Sequence, residues 1–349
     1  MIECRNLGKS YGTVQAVSEI SLSLDEHEFL SILGPSGCGK STLLRLIAGL
    51  EVPSQGQVFL HGQEISGRKI ILPPERRKFG MIFQDFALFP HLSVKDNVGY
   101  GAAGSKTEKQ QRVNELLELV SLPHLATKMP HQISGGEQQR IAVARALAPR
   151  PRLILMDEPF SNLDYQLRQQ LRRDIREILK HEGVATVLVT HDQVEAITFS
   201  DRMLLMQKGK VVQEGTPAEI YQNPQTIWAS SFVGEANHLP VEWQNDSLKT
   251  PLGELNVPFE IGRNARIMMV RPEDFKFESV PAGQANGIVK SVDFSGSVQN
   301  VGVLLKSGAS VQVSGSPHLL WNQEDSVKIT AERYLCFNSS GNRLNGIPE

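Results

Sequence analysis

The sequence has little of several features that would assign it to a specialised class of protein. Its 349 residues include three cysteines, Cys4, Cys38 and Cys336, an odd and sparse set that favours a reducing compartment over a disulfide framework. Lys and Arg total 36 against 38 Asp and Glu, and this balance predicts neither a nucleic-acid tail nor a polycationic membrane arm. No apolar run approaches the roughly 18 residues of a membrane span. If the protein acts at a membrane, we expect other chains to span it.

The composition is that of a globular protein, and the sequence pattern changes once along the chain. Short strands are predicted over residues 1–33, and mainly helices over about 87–150. Strands that alternate with helices predict an α/β domain with a mostly parallel sheet over residues 1–236. From residue 237 to 349, helix periodicity fades and Gly, Ser, Asn and Pro separate short β-rich segments. This region is predicted to be a separate all-β domain, either a sandwich or a barrel.

The stretch GPSGCGKST lies between a strand-like run, FLSIL, and a helix-like run, LLRLIAGL. Its spacing, Gly34-x-x-x-x-Gly39-Lys40-Ser41, matches the phosphate-loop pattern, in which glycines let successive backbone N–H groups surround an anion at a helix N-terminus. Lys40 adds a positive charge for the outer phosphates, and Ser41 offers its hydroxyl to Mg²⁺. The predicted nucleotide-binding residues of this loop are Gly34, Pro35, Ser36, Gly37, Cys38, Gly39, Lys40, Ser41 and Thr42.

Cys38 lies inside this loop, and two interpretations of it are open. Lys40 and the helix N-terminus both favour a lowered pKa for the thiol, so alkylation of Cys38 is one expected way to block ATP binding. Alternatively, Cys38 is a small filler residue.

A phosphate loop alone does not distinguish kinases, GTPases and motor ATPases, but a second motif narrows the choice. LILMDE, residues 153–158, predicts a buried strand that ends in two carboxylates. Asp157 is placed to hold Mg²⁺ through water, and Glu158 to polarise the attacking water as a general base. The alternative is a charge pair at a helix N-terminus; Pro159 and the upstream phosphate loop favour the catalytic interpretation.

Further motifs resemble those of ABC-type ATPases and follow that family's order over residues 1 to about 235. ISGGEQQR (133–140) resembles the family's signature motif, and SNLD (161–164) resembles its D-loop. The resemblance implies a switch histidine at His191, a Q-loop glutamine at Gln84 and an adenine-stacking ring at Tyr11. It implies that Gln84 and His191 are catalytic together with Glu158, and that Mg²⁺ is bound by Ser41, Gln84 and Asp157. The residues that it adds to the nucleotide site are Tyr11, Ser134, Gly135, Gly136, Glu137 and Asp164.

The signature motif offers a second phosphate-binding surface, because Ser134-Gly135-Gly136 precedes the helix-like EQQRIAVARAL. Taken alone, the same residues also fit a simple helix-capping turn. The resemblance implies a head-to-tail dimer, in which each ATP lies between Gly34–Thr42 of one chain and Ser134–Glu137 of the other. The family usually has Leu and Gln where this chain has Ile133 and Glu137. We expect the extra negative charge of Glu137 to slow turnover.

FQDFALFPHLSV, residues 83–94, is unusually aromatic and apolar for a connection. It is typical of an exposed docking site, and a core segment of the helical region is the alternative. The resemblance implies that a separate permease places a coupling helix here, and hence a peripheral position at the cytoplasmic face of the inner membrane. It also implies an indirect dependence on a substrate-binding protein. The residues expected to contact the permease are Phe86, Leu88, Phe89 and Pro90.

MVRPEDF, residues 269–275, resembles the TOBE segment of importer ATPases for maltose, spermidine, sulfate and ferric iron. Such domains are OB-like barrels, and the resemblance implies dimer contacts or regulation by residues 237–349. This region has few aromatic residues that look exposed and no basic cluster, which argues against nucleic acid as a partner. The region around NVGYGAAGS (97–105) most resembles ferric-iron importer ATPases; importers of polyamines, of sulfate or other anions, and of sugars are alternatives. A soluble ABC-type switch that is not coupled to transport is a further alternative.

Overall fold

The computed structural model of the protein describes residues 1–161 and 164–345. Contacts divide the chain into two compact units, Met1–Pro217 and Ala218–Glu349. The predicted domain boundary after residue 236 lies further along the chain and stays a prediction. Within the described residues, no helix is long and apolar enough to cross a membrane.

The first unit is built from strands that alternate with helices, as predicted. Its strands are β1 (Ile2–Tyr11), β2 (Val14–Leu24), β3 (Phe29–Leu33), β4 (Gln55–Leu60), β5 (Gln63–Ser66), β6 (Phe79–Ile82), β7 (Leu153–Asp157), β8 (Ala185–Thr190), β9 (Arg202–Gln207) and β10 (Lys210–Gly215). Its helices are α1 (Lys40–Ala48), α2 (Pro74–Arg77), α3 (Val94–Gly99), α4 (Lys106–Leu119), α5 (Gly135–Leu147), α6 (Tyr165–His181) and α7 (Gln193–Phe199).

Two sheets organise this unit. The larger has the order β10-β9-β3-β8-β7-β6, in which β9, β3, β8, β7 and β6 run parallel and β10 is an antiparallel edge strand. The smaller is antiparallel, with the order β2-β1-β4-β5. Every residue of β3 and of β8 is buried, because a parallel sheet is covered on both faces.

Alternate residues of β7 show how the two faces of the larger sheet are covered. Ile154 and Met156 lie in a core that includes apolar residues of α3, α4 and α5. Leu153 and Leu155 lie in a second core, with the apolar face of α1. Because β9, β3, β8, β7 and β6 are parallel, their C-terminal ends lie at the same edge of the sheet, where α/β proteins bind ligands.

Helix ends test two capping predictions. The Ser105–Glu108 capping box of α4 is confirmed, since each side chain accepts a hydrogen bond from the other residue's backbone N–H. The box predicted for α7 was wrong in its second half. Asp192 accepts from the N–H of Glu195 at 3.0 Å, but the Glu195 carboxylate instead accepts the Thr190 hydroxyl proton at 2.5 Å. A buried carboxylate needs a donor on its own side of the helix, and Thr190 supplies it.

The second unit is rich in short β-strands. Its strands are β11 (Asn237–Pro240), β12 (Glu242–Gln244), β13 (Ser247–Thr250), β14 (Gly253–Leu255), β15 (Ile267–Val270), β16 (Phe275–Ser279), β17 (Gly287–Phe294), β18 (Gln299–Leu305), β19 (Ser310–Gly315), β20 (Ser326–Ala331) and β21 (Leu335–Phe337). They form sheets of order β11-β15-β21, β12-β13-β14 and β16-β20-β17-β18-β19. Its helices are α8 (Pro217–Gln222), α9 (Ile227–Val233) and α10 (Phe259–Asn264); α10 was not anticipated.

Arg271, in the MVRPEDF motif, joins α8 and α9 to the β-strands of this unit. It is buried and donates to the carbonyls of Tyr221 at 2.8 Å, Ser230 at 2.9 Å and Glu235 at 2.8 Å. Its guanidinium also lies 4.1 Å from the ring centre of Tyr221. These contacts explain why the compact unit begins at the start of α8, at Ala218, rather than at β11.

Candidate active site

The C-terminal ends of four neighbouring parallel strands bring the predicted catalytic groups to one edge of the larger sheet. The phosphate loop follows β3, and His191 follows β8. Asp157 ends β7 with Glu158 directly after it, and Gln84 follows β6. Strand order explains the grouping, because β3, β8, β7 and β6 are consecutive in the sheet although distant in sequence.

The phosphate loop has the backbone shape that its glycines suggested. Gly39, the N-cap of α1, has φ of 104°, and a Cβ there would lie 2.0 Å from the carbonyl oxygen of Ala16 in β2. Gly37 has φ of 77° with open space around it. No side chain caps α1, so the N–H groups of its first turn are available to an anion.

Lys40 folds back over the loop that it follows. It is buried, and its ammonium donates to the carbonyls of Gly34 at 2.8 Å and Pro35 at 3.0 Å. A positive charge is thereby held at the N-terminus of α1, where phosphate oxygens can replace these carbonyls as acceptors of the hydrogen bonds from Lys40.

Ser41 and Asp157 meet across the site. The Ser41 hydroxyl donates to Oδ1 of Asp157 at 2.8 Å, and burial raises the pKa of that carboxyl above its ordinary value. These groups fit Mg²⁺, a hard cation that prefers hydroxyl and carboxylate oxygens and would offset the burial of the carboxylate charge. Among the described residues, no three His, Cys, Asp or Glu side chains are grouped to hold a metal. Mg²⁺ that is bound mainly by phosphates and water needs only one or two carboxylates.

Glu158 and His191 form the second contact of the site. Nδ1 of His191 lies 2.9 Å from Oε2 of Glu158, and the histidine side chain is 53% exposed. Glu158 also has φ of 47°, an uncommon conformation for a residue with a Cβ, and its N–H donates to Val189 O at 2.9 Å. Such backbone is typical of functional positions because the surroundings must hold it in place.

Cys38 does not have the reactive thiol that its neighbours suggested. It is buried, and burial raises the pKa of the thiol above its ordinary value, although Lys40 and nearby backbone N–H groups act in the opposite direction. The predicted lowering of this pKa was wrong, because loss of solvation outweighs the adjacent positive charge. The Sγ atom also fills space beside Gly34, where a Cβ would lie 2.6 Å away.

Tyr11 ends β1 with its ring partly exposed, as a stacking platform requires. The Lys9 ammonium lies 4.9 Å from the centre of the ring and 2.8 Å from a carboxylate oxygen of Glu51. Lys9 therefore supports the ring by a cation–π contact.

The signature motif begins α5 with a complete capping box. The Glu137 carboxylate accepts from the N–H of Ser134 at 2.7 Å and from its hydroxyl at 2.8 Å, which lowers the pKa of Glu137. The Ser134 hydroxyl in turn accepts from the N–H of Glu137 at 3.4 Å. Gly136 packs closely, since a Cβ there would lie 3.0 Å from Leu167 of α6. Within the described residues, no hydrogen bond or ion pair joins Ser134–Glu137 to Gly34–Thr42.

Two residues of the predicted D-loop, Asn162 and Leu163, lie outside the described residues. Ser161 donates its hydroxyl to Glu158 O at 3.0 Å, and Asp164 caps α6 by accepting from Leu167 N at 3.0 Å.

The predicted docking residues differ in exposure. Phe86 is buried in the core with α3, α4 and α5, which favours the core interpretation for this side chain. Leu88 is half-buried against the same core. Phe89 is half-buried against Tyr100, with ring centres 4.4 Å apart, and Pro90 is exposed.

Several residues that contact the site or the docking segment were not predicted from the sequence. The S-x-x-E pattern at Ser134 and Glu137 is itself a capping-box signal and was available. No comparable signal marks Asn97 and Arg145, which hydrogen-bond the backbone of residues 86–93 from α3 and α5.

Together, the phosphate loop, the paired carboxylates with histidine and the separate signature helix define an ABC-type ATP-binding fold. A family model described as "ABC transporter" matches residues 17–161. The Fe(3+) ions import ATP-binding protein FbpC of Pseudomonas fluorescens is 43% identical over 84% of this chain and 84% of that protein. The chain therefore belongs to the ABC transporter family, as an ATP-binding subunit, and the predicted fold class and enzyme class are confirmed.

Two further comparisons agree with this assignment. The putrescine transport ATP-binding protein PotG of Escherichia coli is 40% identical over 89% of this chain and 86% of that protein. A dimeric post-hydrolysis state of the ATP-binding cassette MJ0796 with ADP and Pi is 33% identical, with a TM-score of 0.54, over 62% of this chain and 99% of that chain.

Proposed function

We propose that this chain is the ATP-hydrolysing subunit of a binding-protein-dependent importer, with ferric iron as the cargo. The contact between Glu158 and His191, beside Ser41 and Asp157, carries the hydrolytic part of the proposal. The cargo is supported by the relative from Pseudomonas fluorescens, whose name specifies Fe(3+) import. Putrescine or another polyamine is the second candidate, because PotG is nearly as similar.

Each side chain has a distinct part in hydrolysis. Lys40 and the first turn of α1 bind the outer phosphates, and the Tyr11 ring stacks on adenine. Ser41, Asp157 and Gln84 would hold Mg²⁺, which neutralises phosphate charge when bound. Glu158 accepts the proton of the attacking water, and His191 keeps the carboxylate in place through its 2.9 Å contact.

We also propose that the working form is a dimer of this chain that docks on membrane permease subunits at the cytoplasmic face of the inner membrane. The self-capped Ser134–Glu137 segment supports the dimer, because it shares no hydrogen bond or ion pair with the described part of its own phosphate loop. In the dimer, Ser134–Glu137 of a second copy contacts the nucleotide bound to the phosphate loop of the first. Asp164 of the D-loop also belongs to this nucleotide site. The surface proposed to contact the permease consists of Leu88, Phe89 and Pro90. Phe86 anchors this segment in the core that includes α3, α4 and α5.

Uptake measurements test the proposal and distinguish the cargoes. The gene is replaced by its Glu158→Gln variant, and uptake of radioactive ferric iron and of putrescine is followed in matched cultures. Loss of iron uptake with normal putrescine uptake is expected, whereas the reverse result would favour the polyamine importer. If neither uptake changes while the purified wild-type chain hydrolyses ATP, import of sulfate, another anion or a sugar, or an ABC-type switch outside transport, becomes the better account.

A further inference from the structure

The segment that follows Gln84 has strained backbone. Phe86 and Ala87 are consecutive non-glycine residues with φ of 60° and 48°. Residues with a Cβ disfavour this left-handed region, so contacts elsewhere must maintain it. Packing of the Phe86 ring holds one side chain, but Ala87 is exposed and packs little. The backbone of residue 87 therefore depends on its hydrogen bonds.

The N–H groups of Phe86 and Ala87 donate within the turn, to Phe83 O at 3.1 Å and Asp85 O at 2.6 Å, and Arg145 of α5 binds the two carbonyls. Its Nη2 donates to Phe86 O at 2.9 Å, and its Nη1 donates to Ala87 O at 2.6 Å. The same guanidinium lies 5.4 Å from the ring centre of Phe89. One planar, charged group thus contacts the segment at three residues, a geometry that a lysine cannot reproduce.

Asn97 of α3 fixes the other end of the segment. Its side chain is fully buried, accepts from Phe89 N at 2.8 Å and donates to Phe89 O at 3.1 Å and Leu92 O at 3.0 Å. Arg145 therefore fixes the part of the segment nearest to Gln84, and Asn97 fixes the part that leads into α3.

The position of Arg145 on α5 gives this contact a mechanical consequence. The helix begins with the Ser134 cap, and Arg145 lies eleven residues later, or about 17 Å along the axis. A regular helix moves as a rigid rod over such a length. A displacement of the Ser134 end is therefore delivered to the carbonyls of Phe86 and Ala87.

We propose that Arg145 is a positioning residue that links the signature end of α5 to Gln84 and to the docking segment, residues 83–93. This inference rests on the proposed contact of Ser134–Glu137 with the nucleotide of a second copy, and on the proposed role of Gln84. When that contact forms, Arg145 moves the strained turn and Gln84 with α5, so nucleotide engagement and permease docking change together.

The first test removes the fork of hydrogen bonds in the full-length chain. Arg145→Met is compared with wild type by hydrogen exchange of amides 84–92 and by steady-state ATP hydrolysis. We expect faster exchange in this segment and a kcat about tenfold lower, with KM for ATP within about twofold, because the phosphate loop is untouched. Arg145→Lys should recover only part of the loss. Unchanged exchange together with unchanged kcat would overturn the proposal.

A matched control separates this role from general support of α5. Arg112 of α4 also donates to a carbonyl at the same end of α5, that of Leu147 at 3.2 Å, and its other described partners are Glu115 and Glu182. Arg112→Met is expected to leave exchange of amides 84–92 and kcat within about twofold of wild type. If Arg112→Met reproduces the Arg145→Met pattern, the link is a general effect of helix stability and the proposal fails.

A second variant separates strain relief from transmission. Arg145→Met is expected to lower thermal stability, because the strained backbone loses its support. Glycine adopts φ of 48° readily, so Ala87→Gly in the Arg145→Met background should restore much of that lost thermal stability. It should not restore kcat, because the tether is still absent. Full recovery of kcat would show that Arg145 only compensates for strained backbone, which contradicts the proposed link.

A double-mutant cycle distinguishes failure of this inference from failure of the proposed function. If Arg145 acts through Gln84, Arg145→Met lowers kcat by less than about twofold in a Gln84→Ala background. A full tenfold loss in both backgrounds overturns the link. If Gln84→Ala alone hydrolyses ATP normally, the proposed role of Gln84 is what fails.

Discussion

The N-termini of α1 and α5 are both proposed to bind phosphate, and they are built in opposite ways. The α1 end has a left-handed glycine, no side-chain cap and a buried lysine, so it is open to an anion. The α5 end is closed by Ser134 and Glu137, with a carboxylate placed over its first turn. Both ends have the same helix dipole, but only α1 presents free donors and positive charge. The difference supports the proposal that α1 binds the nucleotide first and that α5 contributes later, from a second copy.

The largest effect is expected from the chemistry beside α1. Glu158→Gln keeps the shape of the side chain but removes the base, so kcat should fall by roughly 10²–10⁴-fold while ATP still binds. Size-exclusion chromatography with ATP should then show a stable dimer, since hydrolysis no longer releases it. Near-normal turnover in this variant would contradict the role of Glu158 as the general base and the role of His191 in keeping it in place.

The next effect tests the open end of α1 directly. Lys40→Ala removes a charged donor from the phosphate loop and should weaken ATP binding by roughly 10–100-fold, as expected for hydrogen bonds to charged groups. Isothermal titration with ATP measures this change. Lys106→Ala is the control, because Lys106 is the first residue of α4 and no phosphate site is proposed there. Equal effects of the two changes would remove the distinction between α1 and other helix ends.

A smaller effect is expected at the closed end of α5. Glu137→Gln keeps a residue that can complete the capping box but removes the negative charge, so kcat/KM for ATP should rise by about two- to fivefold. Glu108→Gln, in the matching box of α4, should leave kcat/KM unchanged. A lower kcat/KM in Glu137→Gln would show that the carboxylate assists the site rather than opposing it.

The smallest effect concerns the buried carboxylate at the end of β7. Burial raises the folded-state pKa of Asp157 above its ordinary 3.8, so the folded state binds this proton more tightly than the unfolded state does. Stability without nucleotide therefore falls as pH rises through the interval above 3.8, and Asp157→Asn should avoid that loss. At neutral pH we expect the variant to melt roughly 2–4 °C higher if the change is worth about 1 kcal/mol. Equal melting temperatures at neutral pH would argue against a destabilising charge at Asp157.

Local patterns predicted the parts of the site that are contiguous in sequence. Gly34–Thr42 bends where its glycines allow, and the buried strand β7 ends at Asp157 as its apolar run indicated. Each of these features depends on backbone preferences and burial over fewer than ten residues. The Ser105–Glu108 box was predictable for the same reason.

Contacts between distant segments were not predictable in the same way. Glu195 pairs with Thr190 rather than completing its capping box, and Cys38 is buried enough to raise the pKa of its thiol. Arg145 contacts the carbonyls of residues 86 and 87, more than fifty positions away. Burial and long-range partners depend on how elements pack, and a local pattern does not contain that information.

Short-range patterns in the amino-acid sequence are sufficient to predict a phosphate loop, a carboxylate pair at a strand end and a β-rich C-terminal region. Spacing, periodicity and the special backbone freedom of glycine act within a few residues, and so they are readable directly. The contacts of Ser41 with Asp157 and of Glu158 with His191 arise when the whole chain folds, as does the cap that Glu137 places on α5. Those contacts depend on the order of strands in the sheet and on the solvation of each group after packing, which are properties of the whole fold.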